Sequence, residues 1–198
     1  MKVTIENIKI NITGNLSDDM LDEEFFHFCT ENSDLRIERD SNRQIYIMAP
    51  TGIEIGGFNS DINTELNLWN RKNKTGKVFD SSKGFTLSDH AVFSPDAAWI
   101  SNEKIKELTK EQKKVFAPVC PNFIIELKSP SDTVQQLQNK MQKWIQNGCE
   151  LAWLIIPEKE ETHIYRADGN IEIVKGFNKK ISDENVLTGF ELDLNILK

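Results

Sequence analysis

Three residues of this sequence combine types and spacing suited to phosphodiester chemistry: Asp96, Glu126 and Lys128. Glu126 and Lys128 stand two apart within Asn122–Ser129, a stretch that reads as a β-strand. Their side chains therefore share one face, while Phe123, Ile125 and Leu127 point to the other. A carboxylate and an ammonium near the end of an otherwise apolar strand are costly unless paired or bound to metal. Asp96 follows Ser94-Pro95 and leads into the apolar run Ala97-Ala98-Trp99-Ile100. Roughly thirty residues separate it from Glu126, room for one excursion and a return to a neighbouring strand. Two carboxylates, the Leu127 carbonyl and water suit a hard divalent cation, Mg2+ with Mn2+ as substitute. Such an ion polarises a phosphate and lowers the pKa of bound water. Lys128 either orients or deprotonates the attacking water, or stabilises the developing charge as a compact cation. A bare Glu-x-Lys is also common on an edge strand with a solvated face, and spacing alone leaves that open.

Two further residues stand near this set in the chain's logic. Glu54 lies in Pro50-Thr51-Gly52-Ile53-Glu54, where it is either a helix-borne acid for the site or the partner of Thr51 in a capping box. Gln142 follows Lys128 on the next helix and either approaches the site or is solvated. Ser129, Ser131 and Asp132 read as turn and cap residues.

The elements that must position these groups follow from periodicity. Residues 17–31 read as a helix, with Ser17 as cap, Asp18 and Asp19 at its positive end, and Met20, Leu21, Phe25 and Phe28 as its apolar stripe. Arg36 to Ala49 reads as a hairpin turning around 41–43. A long helix spans about 52–72, with Ile55, Phe58, Ile62, Leu66 and Trp69 at helical spacing. Lys77 to Ile100 reads as two or three strands, and 103–115 as a charged surface excursion. After the Asn122–Ser129 strand, a helix over about 133–147 carries Val134, Leu137, Met141, Trp144 and Ile145, and ends at Gly148. Leu151–Ile156 has the length and apolarity of a buried strand. Thr162–Arg166 and Ile171–Val174 form a hairpin about Asp168-Gly169, and the C-terminal stretch docks along the domain. The strand–helix–strand unit at 122–156 predicts a parallel crossover within a mixed β-sheet flanked by helices, an α/β fold. The expected organisation is an N-terminal segment over 1–16 and a single domain over 17–198.

With 38% hydrophobic and 28% charged residues, the composition is that of a globular chain rather than a disordered one. No apolar run is long enough to span a membrane, and no secretory leader is visible. Cys29, Cys120 and Cys149 are odd in number and far apart, which suits buried thiols in a reducing cytoplasm. His27, His90 and His163 show no metal-ligand spacing. The net charge of −7 opposes nucleic-acid binding in bulk, although a carboxylate site that takes a cation is acidic before the cation arrives. The clusters Arg71, Lys72, Lys74, Lys77 and Lys104, Lys106, Lys110, Lys113, Lys114 are either solvated faces or local basic surfaces.

Taken together, MAPTGIEIGGFNSDINTELNLWN, GKVFDSSKGFTL, FSPDAAWIS, PNFIIELKSPSDTVQQLQNKMQKWIQNG and LAWLIIP resemble the Uma family of restriction endonucleases. The resemblance covers about residues 17–195. The run SPD…ELKSPSD…K-x-x-x-W is specific as a whole. That family is similar in fold to the PD-(D/E)XK nucleases. The resemblance implies a restriction endonuclease-like fold, an Mg2+ site at Asp96, Glu126 and Lys128, Glu54 as the helix acid, and Gln142 nearby. It further implies a cytoplasmic endonuclease with DNA as substrate, and a homodimer. Relatives often carry a His beside the helix acid; Ile55 stands there in this chain. A catalytically silent nucleic-acid- or protein-interaction module on the same fold is the competing expectation.

Overall fold

The structure of the protein, a computed structural model, describes residues 21–182 and 185–198. The cap and first turn expected at 17–20 lie outside the described residues. Helix α1 (Asp22–Glu31) is described from Leu21, whose amide donates to Glu24 Oε2 at 2.8 Å. It buries Phe25 and Phe28. Strands β1 (Arg36–Arg39) and β2 (Ile45–Met48) form the expected antiparallel hairpin. Helix α2 (Ile53–Asn73) follows. Its N-cap is Gly52, with no side-chain cap bond. The capping box that was one of the two readings of Thr51 and Glu54 therefore does not form, because the helix starts one residue too late for that spacing.

The stretch expected to hold two or three strands holds four: β3 (Gly76–Asp80), β4 (Phe85–Thr86), β5 (Val92–Phe93) and β6 (Ala97–Ser101). The short helix α3 (Asn102–Glu107) and a 3-10 turn at Gln112–Lys114 form the charged excursion. Then come β7 (Phe123–Leu127), α4 (Val134–Gln146), β8 (Leu151–Ile156), β9 (Glu161–Arg166), β10 (Ile171–Lys175), β11 (Lys180–Ser182) and β12 (Glu191–Asp193). Thr133 caps α4 by accepting from the Gln136 amide. Gly148, at φ +97°, follows its C-cap, a conformation that suits glycine.

Among the described residues the main sheet has six strands in the order β10-β9-β8-β7-β6-β3. Only β7 and β8 are parallel, joined through α4, as a βαβ unit requires. A second sheet, β2-β1-β5-β4, lies beside it, and β11 pairs with β12. Both β7 and β8 are buried along their whole length. Side chains alternate between two layers. Phe123, Ile125 and Leu127 pack with Trp99, Ile62 and Leu66 on the α2 side. Ile124 packs with Ala98, Met141 and Trp144 on the α4 side. The C-terminal stretch docks as expected: Phe190, Leu192, Leu194 and Leu197 enter the α2-side layer. No helix among the described residues is long and apolar enough to cross a membrane.

Candidate active site

The site grows from strand register. Strands β6 and β7 run antiparallel with Ala97 opposite Ile125. One step further along that register sets Asp96, just before β6, opposite Glu126 at the same end of the sheet, close enough for its charge to bear on Glu126. Asp96 Oδ2 accepts the Leu127 amide at 2.8 Å. Asp96 Oδ1 faces α2 and β1: it accepts from Asn59 Nδ2 at 3.3 Å and stands 3.7 Å from Arg36 Nη2. Asn63 Nδ2 donates to the Asp96 carbonyl at 2.9 Å, so α2 clamps both the side chain and the main chain of this residue. Pro95, which ends pairing just before β6, turns the acid into that clamp.

Glu126 points to the α4 layer, as alternation requires. Two groups meet on its Oε1: the Lys140 ammonium at 2.9 Å and the Trp144 indole N–H at 3.1 Å. The same ammonium lies 3.0 Å from Glu38 Oε1. Glu38, on β1, is fixed in turn by the Ser94 amide at 2.8 Å. Arg36 Nη2 donates to the Ser94 carbonyl at 2.7 Å. The second sheet thus reaches across the end of the first and closes the acid pair in.

The electrostatics follow from burial. Desolvation pushes Glu126 up to about 7, with Asp96 and Glu38 adding to the rise and Lys140 opposing it. Desolvation also raises Asp96, against the Leu127 amide and the Arg36 and Lys140 charges. Burial alone would lower Lys140, but Glu126 and Glu38 outweigh it and hold the ammonium above its ordinary value. Three acids around one ammonium in a dry pocket produce this pattern: the lysine stays charged while the carboxyls compete for it.

The other expected site residues are placed differently. Lys128 is buried at the end of β7, and its ammonium contacts Glu158 Oε1 at 2.7 Å and the Ser129 carbonyl at 3.1 Å. Glu54 is exposed in the first turn of α2. At 100° per residue it turns away from Gly56, Asn59 and Asn63. Gln142 is exposed on α4, on the side opposite Lys140. The structure therefore gathers Asp96 and Glu126, sets Lys128 just beyond them, and leaves Glu54 and Gln142 in solvent. Glu38 and Lys140 had no expected role in the site, although Lys140 opens the K-x-x-x-W run. Lys140 was legible: it sits three residues after Leu137 and four before Trp144, within the apolar stripe of α4. Glu38 carried no such mark, because β1 offered only four residues and no partner.

A groove of about 540 Å³ opens from Asp96 along α2, lined by Asn59, Asn63, Asn67, Arg71 and Asp80 among others. The amide oxygens of Asn59 and Asn63 are buried and take no hydrogen bond among the described residues. Among those residues, no three His, Cys, Asp or Glu side chains converge to hold a metal. The chemistry of the set still fits one hard divalent ion. Mg2+ usually takes one or two carboxylates and keeps several waters, and a cation, the Lys140 ammonium, already stands at Glu126.

Helices on both faces of a mixed sheet, with acids at one strand end, define a restriction endonuclease-like α/β protein. The fold is that of a crystal structure described as "a putative nuclease belonging to DUF820 from Anabaena variabilis ATCC 29413". The two superpose with a TM-score of 0.70 at 15% identity, over 81% of this chain and 88% of that one. Residues 22–195 match the Uma2 family, described as "Putative restriction endonuclease", and the chain belongs to that family, as its motifs suggested. No curated protein matches the sequence.

Proposed function

We propose that this protein is a metal-dependent endonuclease that hydrolyses phosphodiester bonds in DNA. The observation that carries the proposal is the pairing of Asp96 with Glu126 across β6 and β7, buried, with both carboxyls pushed up by desolvation. A divalent cation relieves such a pair better than water can reach it. Asp96 and Glu126, with the Leu127 carbonyl, would hold Mg2+, and Mn2+ in its place. Bound there, the ion would supply Lewis acidity toward the phosphate and an activated water. The chain's own groups do the rest. Asn59, Asn63 and the Leu127 amide orient Asp96. Trp144 orients Glu126. Lys128 would exchange Glu158 for a phosphate oxygen, or hold the attacking water, as a compact cation. The groove along α2 leads a strand to Asp96.

Plasmid cleavage tests the proposal. Purified protein should nick or linearise DNA with Mg2+ or Mn2+ and not with EDTA. Asp96→Ala and Lys128→Ala should abolish the cleavage. Folded protein that leaves duplex DNA, single strands and RNA intact with either metal would refute it. A second reading, an interaction module without turnover, draws on the charge: the groove along α2 carries one cationic side chain, Arg71, among its lining residues, and the chain carries −7 overall. Nucleic-acid binding without cleavage would favour it.

A further inference from the structure

Lys140 and Trp144, the K-x-x-x-W pair of α4, converge on one oxygen, Glu126 Oε1, at 2.9 and 3.1 Å. Four residues apart on a helix, they share a face and are built to meet one target. Trp144 can only donate. Lys140 brings a full charge into a pocket from which water is nearly excluded, its side chain being 13% exposed. Its ammonium is shared between Glu126 and Glu38, at 2.9 and 3.0 Å, and lies 5.3 Å from the Phe93 ring.

We propose that Lys140 is a resident cation occupying the Glu126 side of the metal site, and that a divalent ion binds by driving its ammonium off Glu126 while Glu38 alone keeps it. The inference rests on the metal-dependent reading above. Two cations on one buried carboxylate repel each other strongly at low dielectric, so ion and ammonium compete for Glu126. The alternative station is already built. Glu38 is anchored by the Ser94 amide, and the ammonium is within contact of it, so the move needs only side-chain torsion of a flexible four-carbon stem. Without metal, Lys140 spares the fold an uncompensated buried acid, which is costly. With metal, Glu38 spares the fold an uncompensated buried ammonium.

Titration calorimetry with Mn2+ on the full chain tests this. Lys140→Met should bind Mn2+ at least tenfold more tightly than the unmodified protein. Glu38→Gln, which leaves the ammonium no second station, should bind at least fivefold more weakly. In the Lys140→Met background, the same Glu38→Gln change should cost less than twofold, because Glu38 then has no ammonium to receive. That non-additivity separates exchange from simple summed charge, which would leave the two effects additive. Additive effects, or Lys140→Met binding no tighter, overturn the proposal. If Lys140→Met does not fold, as its melting curve would show, Glu38→Gln decides alone, and unchanged or tighter binding overturns it. Unmodified protein that binds Mn2+ and cleaves DNA, with the variants unshifted, refutes the exchange and leaves the nuclease reading standing. Absence of Mn2+ binding in every variant refutes both.

Discussion

Asp96 takes four contacts from three directions: the Leu127 amide, Asn59, Asn63 and Arg36. A residue so fully oriented can lose its charge and keep its shape. Asp96→Asn should therefore melt within a few degrees of the unmodified protein yet lose about 10³-fold or more in metal-dependent cleavage, the scale of several kcal/mol that an ion lends a phosphoryl transition state. Cleavage within tenfold of normal would exclude Asp96 from the chemistry. Glu126 predicts a pH effect on the fold itself. Burial raises it from 4.5 to about 7, so the folded chain holds this proton more tightly than the unfolded chain does. Its stabilising contribution is present in full below about pH 4.5 and is lost as pH rises toward 7. Glu126→Gln removes that slope, so urea denaturation should show the variant gaining on the unmodified protein between those values. A constant difference across the window would contradict the assignment. The acids were legible in the sequence because Pro95-Asp96 and Glu126-Leu127-Lys128 sit on short strands whose alternation fixes their face. Glu38 was not, since its neighbours in space, Ser94 and Lys140, are 56 and 102 residues away.

At the scale of elements, α4 carries both the cap that starts it and the pair that reaches Glu126. Thr133→Ala removes the bond to the Gln136 amide and should cost about 1 kcal/mol. Trp144→Phe keeps most of the ring but removes one of the two donors on the buried Glu126 Oε1, leaving Lys140 alone there, so it should cost about 1–3 kcal/mol. Equilibrium unfolding should rank the two in that order; the reverse order would mean that the indole N–H contributes little. The unit β7-α4-β8 was readable from sequence because two periods, two and 3.6, change cleanly at Pro130 and Gly148. Strands β4 and β5 were not, because a two-residue strand has no period to detect. The Thr51 capping box failed for a related reason: a motif of four residues does not fix the phase of the helix that follows it. For Glu54 and Gln142 the sequence left two placements open, and both side chains stand in solvent.

Across the whole molecule, the α2-side layer is finished by residues far from the sheet in sequence. Phe190 lies 5.9 Å from the Trp153 ring, nearly parallel to it, and touches Trp69 and Phe123. Phe190→Ala should lower the unfolding free energy by about 3–5 kcal/mol, as a large buried aromatic does, measured by urea denaturation; a loss under about 1 kcal/mol would mean that the layer closes without it. Strands β6 and β7, which position the acids, and β8 beside them are laid down long before Leu192, Leu194 and Leu197 arrive to complete their α2-side face. During synthesis that face is covered only in part, by Ile62 and Leu66 of α2, until Leu197 has been made. The nascent sheet must therefore wait, sticky and incomplete, for residues 190–197, and a ribosome stalled before them would leave behind a chain that a chaperone should recognise.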